Sequence, residues 1–220
     1  MKSRRIVISA ISAVVAFTLL TGFTHNKVPG LSGGGGSWTA IVKDGKNGLT
    51  LMASATVILL KAQANLADAL GFKQEAALLR GDAKNIEEKG EDIDGAAIEA
   101  AGKNSASAQA KMNKKLMESG KLDAKTAAAV LSAGKNMIPA LVKIVKGVGL
   151  VVKASTAISG AGAPSPTDLN AVGIAAQIPD VLPKAAQSIP EVFKTANDFR
   201  KVAAEKNIAV PDVPSAPGFS

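Results

Sequence analysis

Cysteine and tyrosine are absent from this 220-residue chain, and histidine occurs once. Without cysteine the chain can form neither a disulfide nor a thiolate metal site. The single histidine, His25, lies near the N-terminus, so a Ser–His–Asp triad or a histidine-rich metal centre inside a fold has no ligand or base. We therefore predict no catalytic residues, no metal and no cofactor.

Aromatic residues are scarce, at 3 % of the chain, although hydrophobic residues make up 47 %. A β-sandwich draws on β-branched and aromatic residues, whereas small aliphatic residues suit closely packed helices. The length is enough for one domain with a proper core. The composition predicts an all-α protein, a bundle of about five or six helices.

The formal net charge is +8, with the basic residues scattered along the chain. A nucleic-acid-binding surface clusters such residues and interleaves aromatic side chains that stack on bases, and neither feature is present. We expect no nucleic-acid partner. A weak attraction to anionic lipid or to an anionic envelope polymer is consistent with the charge.

The first 24 residues have the layout of a secretory signal. Met1–Arg5 is basic, and the 15 residues Ile6–Leu20 are uncharged and apolar, fewer than the ~20 that span a bilayer. Gly22, Phe23 and Thr24 form a small-x-small processing site without alanine. The pattern predicts export to the periplasm of a bacterial cell.

A second interpretation of this segment concerns lipid attachment. Leu20-Thr21-Gly22 resembles the front of a bacterial lipobox, but Phe23 stands where the modified cysteine is required. No lipid can therefore be attached. Two outcomes stay open, namely a free protein that begins at His25 and an uncleaved segment that tethers the protein to the membrane.

Three further regions follow the signal. Residues 25–48 contain Gly33–Gly36 and turn signals at Asp44-Gly45 and Asn47-Gly48, which predict a flexible Gly-rich linker. Residues 49–207 form the predicted helical domain. Residues 208–220, with three prolines, are predicted to be an extended, exposed tail.

The first half of the domain predicts three helices. The first, from Leu49 to Leu70, is buried and ends at Gly71. The second carries one apolar face at spacings of four and three. The third, from a cap at Asp92 to about Ser119, is mostly small and polar, so we expect it to be exposed or frayed. The apolar face of the second helix consists of Phe72, Ala76, Leu79, Ala83 and Ile86.

The fourth predicted helix, residues 124–159, is central, capped by Asp123 and kinked at Pro139. Its polar residues fall in one sector of the helical wheel, and its other residues are almost all apolar. It is either a core helix with one solvent-exposed edge or an interfacial helix that lies in a membrane surface. The candidate contact residues of that sector are Lys135, Lys143, Lys146 and Lys153.

The C-terminal part is punctuated by proline. Ser165–Asp168 and Ser188–Glu191 have the form of capping boxes, and the second predicts the start of a last helix that ends near Asn207. Because an interior proline removes a hydrogen bond and clashes with the preceding turn, we expect short helical pieces with bends. The prolines of this segment are Pro179, Pro183 and Pro190.

Acidic residues cluster where the second and third helices meet. Asp92-Ile93-Asp94-Gly95 resembles part of a calcium loop, but the acids required at the first and twelfth positions are missing. Paired carboxylates can hydrolyse glycans, but no tryptophan or tyrosine lies nearby to bind a sugar. A solvated acidic face is the favoured interpretation. The cluster comprises Asp82, Glu87, Glu88, Glu91, Asp92, Asp94 and Glu99.

Together these features predict an exported, non-enzymatic helical protein that binds a protein or lipid partner in the periplasm or cell envelope. The first alternative is a lipid-handling or membrane-surface-active protein that uses the lysine-bearing helix 124–159. The second, less favoured, is an envelope glycan hydrolase that uses the acidic cluster.

Overall fold

The computed structural model describes residues 37–213. This part of the chain holds five α-helices, one 3₁₀ turn at Gly90–Asp92 and no β-strand, which confirms the all-α bundle. The predictions for residues 1–36 (the signal, Gly22, Phe23, Thr24, His25 and most of the linker) and for residues 214–220 lie outside the described residues. The helices are α1 Trp38–Ala69, α2 Lys73–Lys89, α3 Gly95–Glu118, α4 Ala124–Ala161 and α5 Leu169–Glu205.

The helices alternate in direction along the chain. Lys61 of α1 pairs with Glu87 of α2, and Asp44, near the start of α1, pairs with Lys153 near the end of α4. Gly95 and Asn113 of α3 donate hydrogen bonds to successive levels of α5. Hence α1, α3 and α5 run parallel, and α2 and α4 run against them. α1 contacts every other helix, while α4 packs mainly against α1 and α5.

The first helix begins at Trp38, so the prediction of a linker up to residue 48 is wrong for residues 38–48. Two glycines that suggested turns are buried inside α1. A Cβ at Gly45 would lie 3.0 Å from the Ile174 side chain, and one at Gly48 would lie 2.8 Å from the Gly147 carbonyl oxygen. Glycine is there because neighbouring helices approach closely, not because the chain turns.

The junction between α1 and α2 agrees with the sequence. Gly71 has φ = 85°, the left-handed conformation that glycine adopts most easily. The Gly71 and Phe72 amides donate to the carbonyls of Asp68 (3.1 Å) and Ala67 (2.8 Å), which is the Schellman motif that ends a helix. Four of the five predicted face residues of α2 are fully buried, and Phe72 packs against the core.

The third helix is not exposed, contrary to prediction. Its cap is Asp94 instead of Asp92, and half of its residues are buried, including Ser105, Gln109 and Asn113. Gly95 and Gly102 let α5 approach closely, since a Cβ at either position would collide with α5, and the buried polar side chains bond to one another. Composition misled here because small residues bury little area each but allow close packing of helix backbones.

The fourth helix begins at its predicted cap. The Asp123 carboxylate accepts a hydrogen bond from the Thr126 amide at 2.7 Å, and α4 continues through Pro139 to Ala161. Pro139 is exposed, so the carbonyl that its ring leaves without a donor faces water. α4 is thus one continuous helix across the proline, as predicted.

The fifth helix is also continuous, so the prediction of short pieces is wrong. All three of its interior prolines are exposed, and their spacings of four and seven place them on one outward stripe where water replaces the lost hydrogen bonds. The capping boxes do not act as predicted. Asp168 caps the helix through the Ala171 amide (3.1 Å), and Ser188 lies inside it, with its hydroxyl bonded to the Lys184 carbonyl.

The beginning of the C-terminal tail, residues 208–213, packs partly on the bundle. Ala209, Pro211 and Asp212 are exposed as predicted, but the three apolar side chains between them are half-buried. Ile208, Val210 and Val213 contact the core. Val210 lies so close to Gly134 that a Cβ there would be 2.5 Å from the valine side chain. The Asp212 carboxylate forms a salt bridge with Arg200 of α5. Three apolar side chains, spaced two and three residues apart, hold this segment against the bundle. Overall composition does not reveal such a spacing.

Candidate functional site

Four lysines of α4 lie along one exposed edge of the bundle, which we call the lysine edge: Lys135, Lys143, Lys146 and Lys153. The opposite side of α4 is buried, with Met137, Leu141 and Val151 fully enclosed. The sequence thus placed these lysines correctly on one face. Because the apolar side of α4 is occupied by α1 and α5, contact with a lipid surface here would involve the lysines and not insertion of that side.

The lysine edge is poorly neutralised. Lys153 lies 2.7 Å from the Asp44 carboxylate, but the other three have no carboxylate partner among residues 37–213. No acidic residue occurs between Asp123 and Asp168, a stretch that includes all of α4. At 1.5 Å per residue the edge extends over about 27 Å. It presents a straight row of positive charge to an anionic surface.

The acidic cluster has the opposite character, because basic side chains pair with most of its carboxylates. These contacts are exposed surface ion pairs of the kind that contributes little to stability individually. Of the cluster, Glu99 alone borders either of the two concavities described below, and two lysines hold its carboxylate. The pairs are Glu87 with Lys61, Glu88 with Lys84, Glu91 with Lys46, Asp94 with Lys89 and Glu99 with both Lys103 and Lys184.

Glu99 is the most strongly perturbed carboxyl of the cluster. Hydrogen bonds from Lys103 and then Lys184 lower its pKa from the ordinary 4.5 to about 2. The same contact, with Glu99 Oε2 2.7 Å from the Lys184 ammonium, raises the pKa of Lys184. Both shifts favour the charged forms. Glu99 therefore joins α3 to α5 electrostatically and is a poor proton donor near neutral pH.

One of the two carboxylates in the calcium-like sequence is already engaged. Asp94 accepts hydrogen bonds from the Ala97 amide (2.7 Å) and from Lys89 (2.7 Å), which together lower its pKa. No group of three metal-ligating side chains occurs within residues 37–213. This carboxylate caps a helix, and the resemblance to a calcium loop is a coincidence of spacing.

Two concavities border both α3 and α5, and the first also reaches α1 and α4. One is an interior cavity of about 30 Å³ with a mostly apolar lining that includes Met52 and Phe193, room for little more than one water molecule. The other is a surface groove of about 340 Å³ bordered by Glu99, Lys103 and Glu191. Gly102 and Ser188 lie at both. At the groove the Ser188 hydroxyl donates to the Lys184 carbonyl (3.0 Å), and the Glu99 carboxylate is held by Lys103 and Lys184.

A buried polar network is the feature that sequence reasoning missed. Gln63 of α1 bonds to Ser105 (2.8 Å) and Gln109 (3.1 Å), Gln109 bonds to Asn113 (2.8 Å), and Asn113 donates to the Thr195 carbonyl of α5 (3.0 Å). The available signal was the spacing of four between the three α3 residues. Each amide is satisfied, so the network fixes how three helices align and takes no part in chemistry.

One described helix, α1, is long and apolar enough to cross a membrane by length and composition. Of its most hydrophobic window, 61 % is buried within the bundle. Its buried side chains, such as Leu60 and Leu66, form the centre of the core. α1 has the burial of a core helix.

Comparison with known proteins adds no further constraint on the site. No protein-family model, no curated protein and no solved structure matches this chain. Interpretation of the site therefore depends on the geometry above, in which the lysine edge is an extended charged surface whose residues are mostly unpaired within the described part of the chain.

Proposed function

We propose that this chain is an exported, non-enzymatic protein that works at a membrane of the cell envelope and binds anionic lipid through the lysine edge of α4. The observation that carries the proposal is the contrast in pairing between the two charged surfaces. Lys135, Lys143 and Lys146 have no carboxylate partner among the described residues. Most carboxylates of the acidic cluster, in contrast, are paired with lysines. Unpaired, aligned charge is available to a partner.

The chemistry of an anionic membrane fits this edge. A basic side chain near an anionic leaflet gains about 1 kcal/mol. Three lysines in a row would then supply about 3 kcal/mol, or about a hundredfold in affinity. An acidic protein surface offers similar charge but has to match the spacing of the lysines. A lipid surface adapts to it, which is why we favour lipid.

The basic N-terminal residues and the apolar Ile6–Leu20 stretch support export and proximity to a membrane. If that segment is retained, it holds the bundle near lipid, so that even weak electrostatic contacts are populated. If it is removed after Thr24, the lysine edge alone has to recruit the protein. Intact-mass measurement of the protein from its envelope fraction separates these two cases.

The test compares charge-reversed variants of the full chain in vesicle flotation. Lys135, Lys143 and Lys146 are replaced together by Glu in one variant. The dependence of binding on the anionic lipid fraction should then be lost, and binding of the parent should weaken with salt as the screening length falls from about 10 Å at 0.1 M to about 3 Å at 1 M. Because these side chains are exposed, folding should be unaffected.

The matched control reverses three other exposed lysines that also lack a carboxylate partner among the described residues: Lys73, Lys115 and Lys194, on α2, α3 and α5. The change in net charge is identical, but the positions are scattered over three helices. We expect the control to keep most of its response to anionic lipid. Equal losses in both variants would mean that only net charge matters and would contradict a role for the lysine edge.

A further inference from the structure

One end of the bundle carries almost no charge. It is formed by the start of α1, the end of α4 with the loop that follows, and the start of α5, here called the uncharged end (residues 37–42, 154–167 and 169–179). None of these three stretches contains Asp, Glu, Lys or Arg. Asp168 is the single charged residue between Lys153 and Asp180. Charged residues make up 20 % of the whole chain, so the gap is a local feature.

Contacts one or two turns further in show that the three stretches meet at the same end. Asp44 of α1 lies 2.7 Å from Lys153 of α4, and Gly45 lies against Ile174 of α5. Trp38 is seven residues before Gly45, which places it about 10 Å further out along the helix axis. The start of α5 extends beyond Ile174 in the same direction. The three helix ends therefore project together.

The acidic cluster lies further in than this end. Lys46 pairs with Glu91 at 3.2 Å, and the Gln177 side chain donates to the carbonyls of Glu91 (2.7 Å) and Ile93 (2.8 Å). These contacts put the charged junction level with Lys46 and Gln177. Several residues of α1 and of α5 precede that level, so the outermost surface is the uncharged one.

The uncharged end exposes large apolar side chains. Leu169 is 79 % exposed, more than any other large apolar residue of the described chain, and Val172 is 40 % exposed. Trp38, the only tryptophan of the protein, packs partly against the core at the same end. Exposed apolar residues at an uncharged tip are costly in water unless something covers them.

Four of the seven hydroxyl groups of this end already have partners, whereas the buried Trp38 Nε1 has none among the described residues. Thr156 donates to the Val152 carbonyl (3.1 Å), Ser159 donates to the Ser155 carbonyl (3.3 Å), and the hydroxyl oxygens of Ser165 and Thr167 lie 2.8 Å apart. A polar group that is hydrogen-bonded within the protein costs less to move away from water. The end can therefore lose its hydration at lower cost than its composition suggests.

The remaining chain reaches the bundle at this end. Residues 1–36 join α1 through Ser37, and 16 residues separate the apolar Ile6–Leu20 stretch from Ser37. Fully extended, those 16 residues reach at most about 55 Å. α4 alone is about 57 Å long, so a membrane that holds Ile6–Leu20 has the uncharged end within easier reach than the opposite end.

We infer that the uncharged end docks on the lipid surface of the membrane that holds residues 6–20, with Leu169 and Val172 entering the interfacial layer. The inference rests on the proposal that the protein works at a membrane and keeps residues 6–20 there, but not on the lysine edge. The uncharged end and the lysine edge adjoin at Lys153, which is the residue of the lysine edge nearest this end. A tilted bundle engages the lipid with both.

The experiment exploits the absence of cysteine from the chain. Single-cysteine variants L169C and M117C of the full protein are labelled with an environment-sensitive fluorophore. Met117 is 55 % exposed at the end of α3, the opposite end of the bundle. Each is reconstituted with neutral phosphatidylcholine vesicles, with and without spin-labelled lipid as quencher.

We expect the emission at position 169 to shift to shorter wavelength and to lose intensity with spin-labelled lipid, while the emission at position 117 stays unchanged. The unlabelled parent provides a second readout, since quenching of Trp38 fluorescence by brominated lipid reports the same end without any substitution. L169D combined with V172D should abolish this quenching. Both residues are exposed, so the double variant should fold.

Several results would overturn the inference. They are failure of the protein to float with neutral vesicles, equal responses at positions 169 and 117, and a shift at 169 that appears without lipid as protein concentration rises. The last would identify a second copy of the chain as the occupant. An acidic peptide or protein that protects position 169 while vesicles do not would identify a protein partner instead.

The contribution of the lysine edge to lipid binding is measured separately. Neutral vesicles remove its attraction, so the triple lysine variant built on L169C should retain quenching at position 169. If the lysine variant keeps its response to anionic lipid while position 169 is quenched, the proposed role of the lysine edge fails and docking of the end stands. If the lysine variant loses that response while position 169 behaves like position 117, the reverse holds.

Discussion

Two helices of this bundle, α3 and α4, each bury one face but hold it in place by different means. α3 is held by buried amides and hydroxyls that bond across to α1 and α5, and its outward acid Glu99 is paired with two lysines. α4 is held by apolar packing and by the close approach of Gly147 to α1, and its outward lysines mostly lack partners.

The difference separates charges that support the structure from charges that are available for binding. On α3 the polar groups are satisfied inside the molecule, so changing them should affect stability. On α4 the lysines have no structural role apart from the Lys153–Asp44 pair, so changing them should affect binding and leave stability unchanged. The vesicle tests examine the lysines of α4. Gln109→Ala and Glu99→Gln examine the polar groups of α3, and Gly147→Ala examines the packing that holds α4.

The largest expected loss of stability comes from Gln109→Ala. The change removes the acceptor of Gln63 Nε2 and the donor to Asn113 Oδ1, and leaves a cavity. Each unsatisfied buried group costs about 1–3 kcal/mol, so we expect a loss of about 2–4 kcal/mol in the free energy of unfolding. Urea unfolding followed by circular dichroism measures it.

Gln74→Ala is the control for this variant, because Gln74 is exposed on α2. A surface substitution of this kind should change stability by less than about 0.5 kcal/mol. If both variants lose the same small amount, the network contributes nothing, and the contrast between α3 and α4 fails at its first point.

A smaller loss is expected from Gly147→Ala in α4. The new Cβ would lie 2.7 Å from Met52 Cγ and 2.8 Å from the Gly48 carbonyl oxygen, so the α1–α4 contact has to open. Overpacking typically costs about 1–3 kcal/mol, and replacing glycine by alanine in a helix gains about 1 kcal/mol. The variant is less stable than the parent if the two backbones cannot move apart. Thermal unfolding of the variant should show a lowered midpoint.

Gly149→Ala gives a matched control two residues away in the same helix. Nothing lies within 4 Å of a Cβ placed there, so the propensity gain should appear alone, as a stabilisation of about 0.5–1 kcal/mol. A loss of stability at position 147 together with a gain at position 149 would confirm that close packing holds α4. A stabilised Gly147→Ala variant would show that the contact is soft.

The smallest effect is a pH dependence at Glu99. Because its folded-state pKa is lowered from 4.5 to about 2, its ionised form adds stability above pH 4.5, and this is lost as the pH falls toward 2. Glu99→Gln should therefore be less stable than the parent at neutral pH, with the difference shrinking between pH 4.5 and 2. Unfolding curves at several pH values measure it.

Glu118→Gln changes the net charge equally on the same helix but leaves the contact with Lys103 and Lys184 intact. Its stability relative to the parent should vary less over this pH range. A parallel acid dependence in the two variants would mean that the Glu99 contact is screened by water like any surface pair, and that α3 is not held by its outward charges.

Local signals in the sequence predicted much of the fold. The four-three spacing of Ala76, Leu79, Ala83 and Ile86 gave the buried face of α2, because helical periodicity is a property of neighbouring residues alone. The cap at Asp123 and the glycine at Gly71 were predicted for the same reason. The common face of the lysine edge followed from spacing, but its lack of partners did not.

The failures concern residues whose roles depend on distant parts of the chain. Gly45 and Gly48 resemble turn residues until α5 and α4 pack against them. Asn113 resembles a solvent-exposed residue until the Thr195 carbonyl, 82 positions away, accepts its hydrogen bond. Such contacts are absent from any short window of sequence.

The sequence by itself determined the helical class, the phase of most helices and the alignment of four lysines. Only the tertiary structure decided that α1 starts at Trp38, that α5 continues through three prolines and that Val210 returns to Gly134. The physical reason is the same in each case. A helix tolerates glycine or proline when neighbouring helices bury one side and water serves the other, and which side is buried is set by packing between segments far apart in the chain.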